Sequence, residues 1–292
     1  MRRKLLVIGV CLLFVIGLLV TVYPFLSNYL YENRQDGVIQ SYEQAVSQSN
    51  QTSLEKFWQE AWDYNKGLLQ GGVVLTDPFA PDALMDPTAE PYAGLLNVNG
   101  NGVMGYLEIP KIQVYLAVYH GTTEAVLQKG IGHLENTSLP VGGQGSHVVV
   151  SGHTGLSDKK LFTDLTELET GDVFYLHVLD DVLAYQVDQI KVVEPSDTSD
   201  LLLDAQHDYV TLVTCTPYGV NTHRLLVRGT RIAYETAEQT QEADRNQPGT
   251  SQWMRQYKQS LLVGLAGLSA VLALWLIVIA IRRRVRRKEG RA

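Results

Sequence analysis

Tyr209-Val-Thr-Leu-Val-Thr-Cys215-Thr-Pro-Tyr-Gly-Val-Asn-Thr-His-Arg224-Leu-Leu-Val-Arg-Gly229 reads as a β-hairpin, two runs rich in Val, Leu and Thr around a Pro- and Gly-bearing loop. Pro217 cannot donate to a strand ladder, so the first strand stops near Cys215 and its thiol sits at a sheet rim. The second strand begins near His223 and Arg224, after about eight loop residues. Antiparallel pairing of the two places Arg224 across from Cys215.

Working outward, Met104–Ile109, Val114–Val118, His147–Ser151, Val173–Leu179, Val182–Val193 and Arg224–Ala233 join Tyr209–Cys215 as short runs of strand-forming residues. Pro110, Gly121, Gly142-Gly143, Gly152, Gly171 and Asp180-Asp181 punctuate them. Seven or eight strands with little helix between, apart from a short one around Lys160–Leu168, predict a mainly β fold closed as an antiparallel barrel over residues 103–235.

Residues 27–72 read as helical. Tyr31, Val38, Tyr42 and Val46 recur at helical spacing, and Leu54, Phe57, Trp58, Ala61 and Trp62 form an apolar stripe. The polar break Ser47–Ser53 separates them, with Ser53 as the N-cap. Residues 73–102, carrying Asp77-Pro78-Phe79, Asp86-Pro87 and Glu90-Pro91, read as a loop. Loops of that length inside domains are uncommon unless they are functional or disordered, which makes this one a candidate lid.

Two uncharged runs, 5–26 and 261–281, predict flanking transmembrane helices at 5–26 and 253–281, because a helix needs about 20 apolar residues to cross a bilayer. Arg2, Arg3 and Lys4 precede the first, and a basic tail (282–292) with Arg282, Arg283, Arg284, Arg286, Arg287 and Lys288 follows the second. Basic flanks stay cytoplasmic, so both termini are expected inside a cell membrane and the middle outside it. A cleaved signal peptide is the alternative for the first run, although no small-x-small site follows it. Residues 236–252 read as a polar linker.

The net charge of −7 conceals an asymmetry: residues 27–250 hold 12 basic against 30 acidic side chains. A nucleic acid partner is thereby disfavoured. Of two cysteines, Cys11 lies in the first apolar run, leaving Cys215 alone in the exterior part. A lone cysteine where cysteines generally act as staples invites a chemical role. A guanidinium beside it favours thiolate and can steady an oxyanion.

A cysteine nucleophile also needs an acid/base partner. Among His120, His133, His147, His153, His177, His207 and His223, the best placed is His153, in Ser151-Gly-His-Thr-Gly155 where a strand meets a glycine-rich turn. His223 is the rival by proximity, and spacing alone does not separate them. No H-x-x-x-H or C-x-x-C spacing is present, so no metal and no cofactor are expected.

Thr211 to Gly229, with Gly105-Tyr-Leu-Glu-Ile-Pro-Lys-Ile112, Tyr119-His-Gly-Thr122, Gly132-His-Leu-Glu-Asn-Thr-Ser-Leu-Pro-Val-Gly-Gly143 and Ser151-Gly-His-Thr-Gly155, resembles the class C, pilus-assembling sortases of Gram-positive cell walls. The resemblance implies an eight-stranded sortase-type barrel, with Cys215 as nucleophile, His153 as acid/base and Arg224 as oxyanion stabiliser. It thereby prefers His153 to His223. It also implies a lid motif at Asp77, Pro78 and Phe79, the Asp pairing with Arg224 and the ring covering the thiol; many members carry Trp where Phe79 stands. The expected activity is cysteine transpeptidation. LPxTG-like sorting signals are cleaved through a thioester, and an acceptor lysine of a pilin subunit resolves it. The alternatives are a sortase that anchors surface proteins to a peptidoglycan precursor and a non-catalytic membrane-tethered interaction module.

Overall fold

In the computed structural model, residues 2–71, 73–80 and 91–244 are described, with scattered positions between 251 and 279 in a separate compact unit. Strands β1 (Val103–Ile109), β2 (Val114–His120), β3 (Ile131–His133), β4 (Ser146–Ser151), β5 (Val173–Val178), β6 (Asp181–Val193), β7 (Asp208–Thr216) and β8 (His223–Ile232) close into a barrel. Their order around it is β1-β2-β3-β4-β7-β8-β6-β5.

Eight strands close as expected, but not all antiparallel. The pairs β2–β3 and β4–β7 are parallel. The first parallel pair is connected through a four-residue helix, α3 (Glu124–Leu127). The second joins strands far apart in the chain, a long-range choice that local pattern does not encode. The three-residue β3, buried throughout, was not among the expected strands. The helix expected around Lys160–Leu168 is a 3₁₀ turn at Thr163–Glu167.

Outside the barrel, α1 (Arg2–Gln48) runs on without a break past Pro24. Its residues Leu12–Gln48 form a helix apolar and long enough to cross a membrane by composition. The apolar Leu12, Leu13 and Phe14 are exposed, whereas Tyr31, Gln35, Ile39, Tyr42 and Val46 form one buried stripe. That spacing of three and four residues is the helical repeat. Gln35 Nε2 donates to the Lys129 carbonyl at 2.6 Å, and its Oε1 accepts the Ala117 N–H at 3.1 Å. The Leu179 N–H donates to Tyr42 Oη at 2.7 Å. These side chains satisfy backbone groups that burial would otherwise leave unpaired.

Helix α2 (Gln51–Gly71) follows. Its start is held by Asn50, whose Oδ1 accepts the Ser53 N–H at 2.9 Å, so Asn50 and not Ser53 provides the cap. Leu54 and Ala61 are buried, Trp62 is exposed, and Asn65 pairs both ways with the Leu139 backbone (2.7 and 3.1 Å). The stretch read as a polar linker begins inside a helix, α4 (Tyr234–Asp244), whose Ala237 is fully buried against Val173, Tyr175 and Ala184 of the barrel. Of the second apolar run, residues 253–255, 257–259 and 261–267 are helical. The remainder of that span, apart from a few positions, the basic tail 282–292 and the lid portion 81–90 lie outside the described residues.

Strands β4, β7 and β8 present two different faces. Val148, Val150, Val210, Leu212, Leu225 and Val227 point into the main core. Their alternate neighbours Val149, Val213 and Leu226 join Leu134 and Leu201 in a separate apolar cluster on the outer face. Period-two alternation separates the two sets.

Candidate active site

The outer face ends in the polar residues singled out by sequence. In β7–β8, Cys215 pairs directly with Arg224, the juxtaposition expected from the hairpin. Opposed residues share a face. His223 pairs with Thr216, one residue out of phase, so alternation turns it to the other face, where its Nε2 lies 3.1 Å from Glu194.

His153 arrives from a different strand. The parallel rows of β4 and β7 end at Ser151↔Val213. His153 and Cys215 therefore each lie two residues beyond the same row, at the same rim. The Gly152 N–H donates to the Val213 carbonyl at 3.0 Å, and Thr214 Oγ1 donates to the Gly152 carbonyl at 2.7 Å, clamping the histidine's turn to the cysteine's strand. A Cβ on Gly152 would stand 2.8 Å from the Phe162 ring and 2.9 Å from Ile131, so the turn has room for glycine alone. Sequence reading missed the roles of Thr214 and Gly152, because both depend on the long-range β4–β7 pairing.

The other histidines are engaged elsewhere. His120 contacts the Leu95 and Gly102 carbonyls, His133 the Tyr92 hydroxyl and Ser138 carbonyl, and His147 the Leu202 carbonyl and Thr211 hydroxyl. Burial pushes His133 down to about 4 and His147 below its ordinary value. His177 lies by Glu108 and His207 by Asp204. Among the described residues, no three His, Cys, Asp or Glu side chains gather as metal ligands would.

Asp77-Pro78-Phe79 covers the rim. Arg224 Nε and Nη2 donate to the two Asp77 oxygens at 2.7 and 2.6 Å, a bidentate fork. Arg224 Nη1 donates to the carbonyls of Asn221 (3.2 Å) and His223 (3.0 Å), fixing the guanidinium plane. Asp77 also shapes its own turn, accepting the Phe79 N–H at its side chain (3.3 Å) and the Ala80 N–H at its carbonyl (3.0 Å). The Phe79 ring centre is 5.7 Å from that of His153 and 5.1 Å from Arg224 Cζ. With Leu75, it packs on the outer apolar cluster.

This cover changes the electrostatics. Burial pushes the Cys215 thiol above its ordinary value; Arg224 opposes that rise and Asp77 adds to it. Burial works against the Arg224 charge, yet its bonds to Asp77 keep it above the usual guanidinium value. With this segment in place, burial and Asp77 both raise the thiol and the guanidinium is occupied.

The chain matches the sortase domain over residues 107–232. It is 32% identical to sortase D of Bacillus subtilis over 131 residues, 44% of this chain and 63% of that relative. A solved sortase C from Streptococcus pneumoniae, reported with pilin substrate specificity, is 47% identical, with a TM-score of 0.62 over 68% of this chain and 97% of that one. A pilus-related sortase C of Group B Streptococcus is 45% identical, with a TM-score of 0.62 over 67% and 97%.

Proposed function

We propose a mechanism from one premise: the chain belongs to the sortase family of cysteine transpeptidases. The reaction is acyl transfer from an LPxTG-like sorting signal on a surface protein or pilin to a lysine amine of a pilin subunit, building pili. The reading rests on one observation above all, that Cys215, His153 and Arg224 share a rim and Arg224 is forked to Asp77.

For substrate to bind, Asp77-Pro78-Phe79 leaves. Its departure frees the guanidinium fork and exposes the apolar floor of Val149, Val213 and Leu226 to the signal's apolar residues. It also removes two causes of the thiol's raised value, burial and the Asp77 charge. Cys215 thiolate attacks the Thr–Gly carbonyl carbon, forming the C–S bond while Arg224 stabilises the oxyanion. The C–N bond breaks, and His153 imidazolium gives its proton to the departing glycine amine. A neutral lysine amine then attacks the thioester, the C–S bond breaks, and His153 takes the amine's proton. The thiolate and imidazolium are restored.

The membrane-spanning start of α1 holds the enzyme beside membrane-anchored substrates, with the barrel outside the cell and both termini in the cytoplasm. Incubation of the enzyme with candidate pilins tests this reading. Covalent ladders joined at lysine, absent with Cys215→Ala, are expected. Single adducts to a wall precursor without ladders would overturn pilin polymerisation.

A further inference from the structure

We propose that Glu124 is a positioning residue for His153, a carboxylate that favours its charged imidazolium. The inference rests on the transpeptidase reading above and adds a fourth side chain to it. Glu124 is the first residue of α3, an element separate from the Asp77-Pro78-Phe79 segment. Its Oε2 lies 3.2 Å from His153 Nε2.

That nitrogen is buried and makes no aligned hydrogen bond, so the contact is one of charge and not of a directed N–H. A buried donor left without an aligned acceptor is costly, and more so once the ring is charged. A nearby negative charge offsets that cost in the protonated ring alone.

The carboxylate is itself held in place. Gln128 Nε2 donates to Glu124 Oε1 at 2.7 Å, leaving Oε2 toward the ring. Lys159 Nζ donates to Gln128 Oε1 at 3.1 Å and to its backbone carbonyl at 2.8 Å. The line Lys159–Gln128–Glu124–His153 thus ties the loop after β4 to α3 and ends at the acid/base group. The other charged or titratable groups named at this rim are Cys215 on β7, Arg224 on β8 and Asp77 of the covering segment, with Lys159 beyond Gln128. Of the two carboxylates, Glu124 is the one outside the covering segment, so its charge stays when Asp77 withdraws.

The chemistry gives that charge a use. The reactive state combines thiolate with imidazolium, and burial raises the thiol, so this pair is a minor protonation state. Its population scales directly with how readily the ring holds its proton. A solvent-exposed carboxylate at this distance is partly screened. Its removal is therefore expected to move the acid limb of the rate profile down and to lower the optimum by about threefold.

The test is the pH profile of kcat/KM for sorting-peptide transpeptidation by wild type, Glu124→Gln and Glu124→Asp. Expected are the paired limb shift and threefold loss in Glu124→Gln, their shrinkage in high salt, and partial recovery in Glu124→Asp. A uniform loss with an unmoved limb, or no change, would overturn the inference while leaving transpeptidation intact. A wild-type enzyme that forms no acyl adduct at any pH would instead overturn the underlying activity, and this inference with it.

Discussion

The inner and outer faces of β4, β7 and β8 are made by the same strands, residue by alternate residue, yet they differ in how they are closed. The inner face is sealed by the barrel itself, with Val148, Val150, Leu212 and Val227 fully buried. The outer face is sealed by a short strap, Leu75 and Phe79 over Val149, Val213 and Leu226, held by the Asp77–Arg224 fork. One closure is part of the fold; the other is removable in the proposed mechanism. Stability and reactivity can therefore be changed separately, which is what makes the difference testable.

The largest separation is expected from Arg224→Ala on the outer face. In the proposed mechanism it is an oxyanion donor, whose removal costs about 10²–10³-fold in kcat, so turnover should collapse while the melting temperature changes little. Equal loss of both would mean that the two faces are not independent. Leu212→Ala on the inner face should do the reverse, destabilising the barrel by about 2–5 kcal/mol in urea titration. Per folded molecule, cysteine reactivity should stay unchanged.

His133 gives the buried side of β3 a pH signature. Its folded value is pushed down to about 4 by burial, against about 6.5 when unfolded. Between those values the unfolded chain binds more protons. Stability is thus full above pH 6.5 and falls as pH drops toward 4, by up to about 3 kcal/mol. His133→Gln should flatten that part of the acid slope; an identical slope would remove histidine as its cause. The smallest effect belongs to the lid. Phe79→Ala should uncover the thiol and raise its alkylation rate at neutral pH, because burial is the leading cause of the thiol's raised value. An unchanged rate would mean that the ring is not the cover.

What could be read from sequence follows the range of the interactions involved. The Cys215–Arg224 apposition is a hairpin property, encoded within fifteen residues by Pro217 and the flanking apolar runs. The place of His153 depends on parallel pairing between β4 and β7, which no local pattern specifies. Spacing therefore left it level with His223 until the motif likeness was added. The three-residue β3 has no room for alternation to show, and α4 is polar apart from Tyr234, Ala237 and Ala243, so a helix there looked like a linker. Glu124 left no trace, since its relation to His153 exists only after β3 and β4 have paired.

The most direct test is intact-mass and peptide mapping of wild type and Asp77→Ala after mixing with a sorting-signal peptide. The acyl mass should appear on Cys215 in both proteins, sooner when Asp77 is gone, and hydroxylamine should remove it as it does a thioester. A stable adduct on another residue, or none on Cys215 with the strap released, would contradict the account.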